Sequence, residues 1–357
     1  MTRKRSILIV APSFDILGGQ SVQAARLFER LNDEPSLQVG FLPINPRLPG
    51  ILRGLQRVKY LRTVVTSIAY VWSLLWRVRG YDVIHVFSAS YLSFVLAPTP
   101  AILIGKLYRR KVLLNYHSGE AEDHLRRWRS AIATIRLADC IVVPSEYLVR
   151  NFASFGIKAT AVANQIDTSQ FRFRQRRPLR PVFLSNRNLE SHYGVDRVVR
   201  AFALIQSKVE HASLTVAGDG SQNRALKTLA SELDLKNTSF IGRVDPASIA
   251  ELYNAADVYL NASEIDNQPL SILEAFSCGL PIVTTGAGGI PDMVRDGETG
   301  MVVPCGDYAG IAERALRLLD HPELAESMVE RARHECLKYR WEAVRDEWMK
   351  VYVGLDE

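Results

Sequence analysis

Two carboxylates, a proline and a glycine-rich turn fall close together in residues 262–296, ASEIDNQPLSILEAFSCGLPIVTTGAGGIPDMVRD. Asp266 lies in a polar loop and Glu274 follows eight positions later. Between them, Pro269 reads as the first residue of a helix, where its missing N–H costs no bond, so the backbone N–H groups of Leu270, Ser271 and Ile272 point back toward the loop. A helix start of this kind is a ready anion site. One carboxylate then faces whatever the helix start holds, and the other, inside the second turn, reaches sideways to a hydroxyl-rich group. A diphosphate set between two sugars suits that arrangement, with Asn267 and Gln268 completing the loop side. The alternative is a pair of ordinary loop and helix-face carboxylates, which the acidic pair alone does not exclude.

The elements that must position this pair follow from periodicity and turn chemistry. Residues 257–261 (DVYLN) read as a buried strand, and the helix from Pro269 ends near Cys278, where Gly279 supplies the stop and Pro281 blocks continuation. Upstream, 181–186 is a strand, 194–207 a helix, and 212–217 a strand closed by Gly218-Asp219-Gly220. A helix to Leu233, the strand 239–241 with Gly242 at its end, and the helix 246–255 follow. Residues 286–290 (GAGGI) form a flexible loop at another sheet end, 300–304 close the domain, and the remainder is helical. Alternating strands and helices predict a Rossmann-like parallel sheet.

The first half has the same rhythm. Strand 6–12 leads through Gly18-Gly19 to a helix over 21–32, then strand 38–43 and a three-proline loop over 45–54. Residues 55–79 read as a helix, with Arg53, Arg57, Lys59 and Arg62 ahead of the apolar run 64–76, which closes on Arg77 and Arg79. That run is too short for the roughly 20 residues a bilayer crossing needs. Such a basic, Trp-bearing helix either packs as a core helix with snorkelling ends or lies on an anionic membrane surface. Strands 82–87 and 111–116 flank a helical segment, 91–110, that Pro98 and Pro100 break. His117 stands just past a strand's C-terminal end, where ligands bind in such sheets. Glu120, Glu122 and Asp123 follow on the same loop, and nothing chooses between them as neighbours of an acceptor hydroxyl. Strand 140–144, a helix to about Phe155 and strand 159–163 complete this half. The arginines of the linker 171–181 (FRFRQRRPLRP) read as a solvated charge run.

Asp266 and Glu274, with LEAFSCGLPIVTT and GGIPDMVRDGETGMVVP around and after them, resemble the donor-site signature of glycosyltransferase family 4. The resemblance implies an α/β chain of GT-B type: two Rossmann-like domains facing across a cleft, with a C-terminal helix crossing back to the first. The implied division is 1–167 for the acceptor, 168–338 for the nucleotide-sugar donor, and 339–357 for the returning helix. It also implies a retaining glycosyltransferase whose Glu274 binds the donor ribose and whose Asp266 contacts the donor sugar. By the same analogy Gly19 lets the backbone approach the donor phosphates, His117 contacts the donor sugar, and Arg187 of SNRNLESHYGVD grips the diphosphate. Gly242, Asn267, Gln268, Leu270 and Ser271 line the donor side. Three departures stand out. Asp266 is a methylene shorter than the commoner Glu, Gln165 in VANQID replaces the glycine of PNGVD, and Tyr193 occupies the place of the lysine in GR…KG, with one extra residue before Gly194. A missing cation beside a leaving diphosphate costs several kcal/mol unless something replaces it.

At 357 residues, with nearly half of them apolar, the chain suits two globular domains. Its net charge of +6 conceals a split: 27 Lys and Arg against 11 Asp and Glu in residues 1–180, and 17 against 27 in the rest. The first half is therefore set to meet something anionic, and dispersed basic residues without a nucleic-acid motif argue against nucleic acid. The opening MTRKRSILIVAP has too short an apolar run for a signal peptide. Four widely spaced cysteines show no metal-ligand spacing and read as reduced, buried thiols of a cytoplasmic protein; the membrane-surface reading of residues 55–79 would make it peripheral to an anionic membrane. The expectation is a metal-independent and cofactor-independent enzyme moving a sugar from a UDP-, GDP- or ADP-sugar to a glycan or lipid-linked acceptor. Domain closure brings Gly19 and His117 against Arg187, Asp266 and the helix start. The alternatives are a non-catalytic nucleotide-sugar-binding protein and a nucleotide-sugar epimerase.

Overall fold

The computed structural model describes residues 4–15, 18–48, 50, 56, 58, 60–88 and 90–355. It forms two compact units, residues 1–165 with 344–357, and residues 166–343.

The first unit is built on a six-stranded parallel sheet, β1 Arg5–Ala11, β2 Leu37–Pro43, β3 Val83–Ser88, β4 Lys111–Tyr116, β5 Cys140–Val143 and β6 Thr160–Ala161, in the order β2-β1-β3-β4-β5-β6. Parallel strands are covered on both faces, which is why β1 and β3 are near-continuous apolar runs. Four helices matter below: α1 Gly19–Asn32, α2 Leu61–Arg77, α3 Tyr91–Leu96 and α4 Pro98–Leu107. The break between α3 and α4 falls at Ala97, with Pro98 starting the new helix. α2 begins at Leu61, six residues later than the sequence suggests, and Leu55, Arg53, Arg57 and Lys59 lie outside the described residues. The C-terminal helix Trp341–Gly354 joins this unit from Val344 onward. Tyr352 reaches buried His85 at 2.8 Å, and Arg345 donates to Glu34 at 2.7 Å.

The second unit repeats the architecture with β7 Val182–Asn186, β8 Ser213–Ala217, β9 Thr238–Gly242, β10 Val258–Asn261, β11 Ile282–Thr285 and β12 Met301–Val303, ordered β12-β11-β10-β7-β8-β9. Strand order reverses between β7 and β10, the switch point where open parallel sheets hold ligands beyond their C-terminal ends.

Of the linker arginines, Arg172, Arg177 and Arg180 are exposed as expected, but Arg176 and in part Arg174 correct the expectation of a solvated run. Arg176 is buried and donates to the carbonyls of Tyr253, Ala256, Cys278 and Gly279, at the C-terminal ends of two helices, Ile249–Ala255 and Leu270–Cys278. Arg174 and Arg180 converge on buried Asp257, at 2.5 and 2.9 Å. Helix ends present carbonyls without intrahelical partners, and a guanidinium with five donors satisfies several at once. The cysteines are unpaired; Cys278 and Cys336 are buried, but Cys305 is exposed.

Candidate active site

Arg187 follows β7 directly and Asp266 lies beyond β10, so the two residues flank the switch point of the second sheet. They form an ion pair across it, Nη2 to Oδ2, with each side chain only one-tenth exposed. The other guanidinium nitrogen of Arg187 donates to Ser271 Oγ at 3.1 Å. Its plane lies over the Tyr193 ring, 4.2 Å from the centroid. Burial opposes the arginine's charge, but Asp266 and the neighbouring tyrosines outweigh it and hold its pKa above the ordinary value. The site is thus a fixed cation, a carboxylate bound to it, and a helix start.

That helix, Leu270–Cys278, starts one residue later than the sequence suggests. Pro269 takes the extended N-cap conformation rather than the first helical position, because its ψ of 121° lies outside the helical range. Ile272 N–H donates to Pro269 O at 3.2 Å and is therefore not an open donor, while Leu270 and Ser271 occupy the first turn. The helix stops at Gly279 in the left-handed region, φ 71°, where a side chain would be strained. Glu274 is buried and accepts from Tyr253 OH at 2.9 Å, and that hydroxyl in turn accepts from Asn186 Nδ2 at 3.1 Å. Burial and the Glu274 charge raise the Tyr253 pKa, so its hydroxyl stays a donor.

The loop residues are anchored by backbone. Asn267 N–H donates to Asp266 Oδ1 at 3.0 Å, and Asp266 O accepts from Gly289 N–H at 3.2 Å, which ties the 286–290 loop to the acidic loop. Asn267 and Gln268 are both buried. Tyr193 closes a short turn, Ser191–Tyr193, and Gly194 follows at φ 60°, where a Cβ would meet Ala262 O at 2.0 Å. Only glycine fits there, and the backbone at Tyr193 is fixed accordingly. Gly242 ends β9, two strands from Arg187, and its carbonyl accepts from Gly218 N–H at 2.7 Å.

The predicted residues of the first unit lie at its strand ends. Gly19 opens α1, and a Cβ there would meet nothing within 4 Å. His117 follows β4, stacked on Phe87 at 5.0 Å, and Phe87 stacks on His85 at 5.1 Å. Burial pushes the His117 pKa down to about 4, which keeps the imidazole neutral at physiological pH. Of the three acids left open, Glu122 pairs with Arg126 at 2.7 Å and Asp123 accepts from Tyr91 OH at 2.5 Å, while Glu120 precedes their helix as its N-cap. Gln165 is held by Gln23, whose side chain donates to Gln165 O at 2.8 Å and accepts its N–H at 3.1 Å.

Sequence reasoning missed Tyr253, Asn186 and Tyr259, whose hydroxyl donates to Asn186 O at 3.2 Å. Two of them are aromatics at apolar-periodic positions, indistinguishable from core residues by pattern. Among the described residues, no group of three or more His, Cys, Asp or Glu could hold a metal ion.

Comparison with known proteins bears on the same regions. Residues 167–335 match the family model described as Glycosyl transferases group 1, and 18–170 that of Glycosyltransferase Family 4. The GDP-mannose-dependent alpha-(1-6)-phosphatidylinositol monomannoside mannosyltransferase of Mycolicibacterium smegmatis is 31% identical over 273 residues, 69% of this chain and 72% of that relative. N-acetyl-alpha-D-glucosaminyl L-malate synthase of Bacillus anthracis is 35% identical over 163 residues, and the match spans 45% of this chain and 42% of that relative. Anabaena HepE, solved in complex with UDP, shares the fold at TM-score 0.77 and 16% identity over 98% of this chain and 100% of its own. The two parallel sheets, the acids placed around the helix start and the matched regions make one assignment: the chain belongs to the group 1 glycosyltransferases, family 4, with the two-domain GT-B fold.

Proposed function

We propose that this protein is a retaining glycosyltransferase that moves a sugar from a UDP-, GDP- or ADP-sugar to an acceptor hydroxyl. The observation that supports it best is the Arg187–Asp266 pair spanning the β7/β10 switch point at the start of the Leu270–Cys278 helix. A departing nucleoside diphosphate gains negative charge. A fixed guanidinium and the N–H groups of Leu270 and Ser271 are preorganised to receive it. Asp266 holds Arg187 in place and accepts from a donor-sugar hydroxyl. Glu274, bonded to Tyr253 through one carboxylate oxygen, is proposed to accept from the ribose hydroxyls. His117, neutral, serves as a hydrogen-bonding group for the transferred sugar.

Retention follows a same-face displacement. The bond from the sugar's anomeric carbon to the phosphate oxygen breaks, the acceptor oxygen bonds to that carbon on the same face, and its proton passes to the departing phosphate oxygen. No protein nucleophile is assigned. The reaction is proposed to be metal-independent, with Arg187 and the helix start supplying the positive charge. The acceptor is proposed to be a glycan or lipid-linked intermediate of polysaccharide synthesis, in keeping with the +16 charge of residues 1–180.

A second reading, a nucleotide-sugar-binding protein without turnover, is favoured by one observation: the position of the family's lysine holds Tyr193, stacked on Arg187. Binding and hydrolysis screens of UDP-, GDP- and ADP-sugars, with and without EDTA, distinguish the two. Micromolar binding with EDTA-insensitive slow hydrolysis is expected. Binding without hydrolysis or transfer to any tested acceptor favours the second reading, and no binding of any of the three overturns both.

A further inference from the structure

α2 has two apolar faces on opposite sides. One, with Tyr70 and Leu74, is buried in the core of the first unit, and Tyr70 OH donates to Ala97 O at 2.9 Å at the α3/α4 break. The other, Val64, Ile68, Trp72 and Trp76 at a spacing of four, is more than half exposed at every position. A helix that is apolar all round is normally covered all round. Leu103 and Leu107 on α4, which packs against α2, are also exposed, as are Leu92 and Val95 on α3, which packs against α4. Of the nineteen large apolar side chains exposed among the described residues, eleven lie between Val58 and Leu107. This concentration needs a partner, since scattered single apolar residues do not collect on one group of helices.

The charge around it selects the partner. Between Glu34 and Glu120 the sequence holds eleven Lys and Arg and a single acid, Asp82. Asp82 is tied to Ser6 at the start of β1, accepting its hydroxyl at 2.7 Å and its backbone N–H at 3.1 Å. Arg62, Arg77, Arg79 and Arg109 are exposed at the ends of α2 and α4. Arg79 lies over both the Trp76 ring, at 5.7 Å, and the Tyr108 ring, at 5.1 Å. Lys106 is the one cation of α4 neutralised by a neighbour, Asp139, at 3.0 Å. Paired tryptophans with a cationic rim match the headgroup layer of a bilayer, where indole sits at the interface and Lys or Arg meets anionic lipid. A second copy of the chain would set like charge against like charge. No helix among the described residues is long and apolar enough to cross a membrane, so the fitting geometry is a helix lying in the interface plane.

We infer that the exposed Val64-Ile68-Trp72-Trp76 face of α2, with the adjoining faces of α3 and α4, docks this protein onto an anionic lipid bilayer. This surface and the donor site rest on separate observations. The docking face lies in the first unit, and the Arg187–Asp266 pair lies in the second.

The test is flotation of the full chain with vesicles of phosphatidylcholine alone or with about 30% phosphatidylglycerol, at about 0.1 and 0.5 M NaCl. The expected result is flotation with the anionic vesicles, at least tenfold weaker with phosphatidylcholine alone or at high salt, and a blue shift of tryptophan emission. The variant Ile68→Ser/Trp72→Ser/Trp76→Ser replaces exposed side chains only. It is expected to lose at least tenfold in flotation while keeping its circular dichroism and its UDP or GDP affinity. Arg62→Gln/Arg109→Gln, which leaves the apolar face intact, is expected to lose flotation while keeping the same controls. Wild-type protein that stays unbound with anionic vesicles overturns the inference. So does equal flotation of the triple serine variant, or a wild-type dimer that this variant splits without any vesicle binding. Loss of nucleotide binding by the wild type bears on the donor site and leaves the docking face standing.

Discussion

Replacing Asp266 by Asn removes one charge from the proposed donor site while keeping the side chain's size and a carbonyl acceptor. In the wild type the carboxylate faces a guanidinium that is only one-tenth exposed, with Ser271 Oγ and the Tyr193 ring as its other partners. Breaking a buried ion pair by removing one partner costs about 3–5 kcal/mol. The asparagine oxygen can still accept from the guanidinium, a bond to a charged group worth about 2 kcal/mol, which reduces the loss to about 1–3 kcal/mol; the Tyr193 contact is common to both proteins and cancels. The effect on ligand runs the other way. A carboxylate about 6 Å from a phosphate, at an effective dielectric of about 40, repels it by about 1.4 kcal/mol. Asp266→Asn is therefore expected to lower the unfolding free energy of the ligand-free protein and to tighten UDP or GDP binding about tenfold. Turnover should fall by about a hundredfold or more, because the sugar contact is lost and Arg187 is no longer held for the transition state. Urea denaturation, titration calorimetry and initial rates read the three quantities, and a double-mutant cycle with Arg187→Gln isolates the pair. Weaker nucleotide binding in Asp266→Asn, or a coupling energy below about 0.5 kcal/mol, would refute the assignment of Arg187 as a phosphate ligand positioned by Asp266.

Glu274→Ala should weaken nucleoside diphosphate binding about 10- to 100-fold, the worth of one or two charge-assisted hydrogen bonds; calorimetry with Tyr253→Phe as control should show a smaller loss, and equal affinities for Glu274→Ala and wild type would contradict the ribose role. Arg176→Met removes a donor from the carbonyls of Tyr253, Ala256, Cys278 and Gly279, of which Ala256 and Cys278 keep a second donor in Arg174, so the second unit should lose about 2–5 kcal/mol in urea denaturation, and a loss below about 1 kcal/mol would contradict the capping role. The first unit should weaken in mild acid because burial lowers the pKa values of His85, His117 and His124 to about 3, 4 and 4. The unfolded chain takes up protons below about 6.5 while the folded chain does not, so this stability is full above that pH and is lost as pH falls toward 4, by up to ~4 kcal/mol per pH unit for the three together; denaturation at pH 7, 6 and 5 should show the slope, a His85→Phe/His124→Phe variant should keep about a third of it through His117, and an undiminished slope in that variant would assign it to other groups.

What the sequence made legible was what it encodes locally. The strand 257–261, the helix start between Asp266 and Glu274 and the stop at Gly279 all lie within a few residues of their signals, and the structure departs from them by one residue at each helix or strand start. The partners of those residues were not legible. Arg187 and Asp266 are 79 positions apart and meet because β7 and β10 are neighbours in the sheet, which strand-by-strand reading leaves undetermined. Arg176 looked solvated because arginine in a Pro-bearing, basic stretch usually is. The carbonyls that bury it come from helices 77 to 103 positions away. For α2, apolar periodicity showed a helix with more apolar surface than one face needs, but not which side the core would cover.

Tyr193 follows from the same distinction between charge and position. Among the described residues, the proposed donor site combines Arg187, the Asp266 carboxylate bound to it and a helix start worth about half a positive charge, so its field toward a diphosphate is weaker than that of a site with a second cation. A lysine at 193 would stand beside Arg187 and repel it until a ligand arrived, whereas a tyrosine ring attracts the guanidinium and limits its rotation about the side-chain axis. The rigid backbone at Gly194 sets where either side chain would begin. The sequence has thus exchanged a second charge for a better-ordered first one. Electrostatic stabilisation of a leaving group depends on preorganisation as well as on total charge. The substitution that first suggests a weakened site is therefore compatible with turnover, provided that Arg187 is fixed at the position the diphosphate occupies.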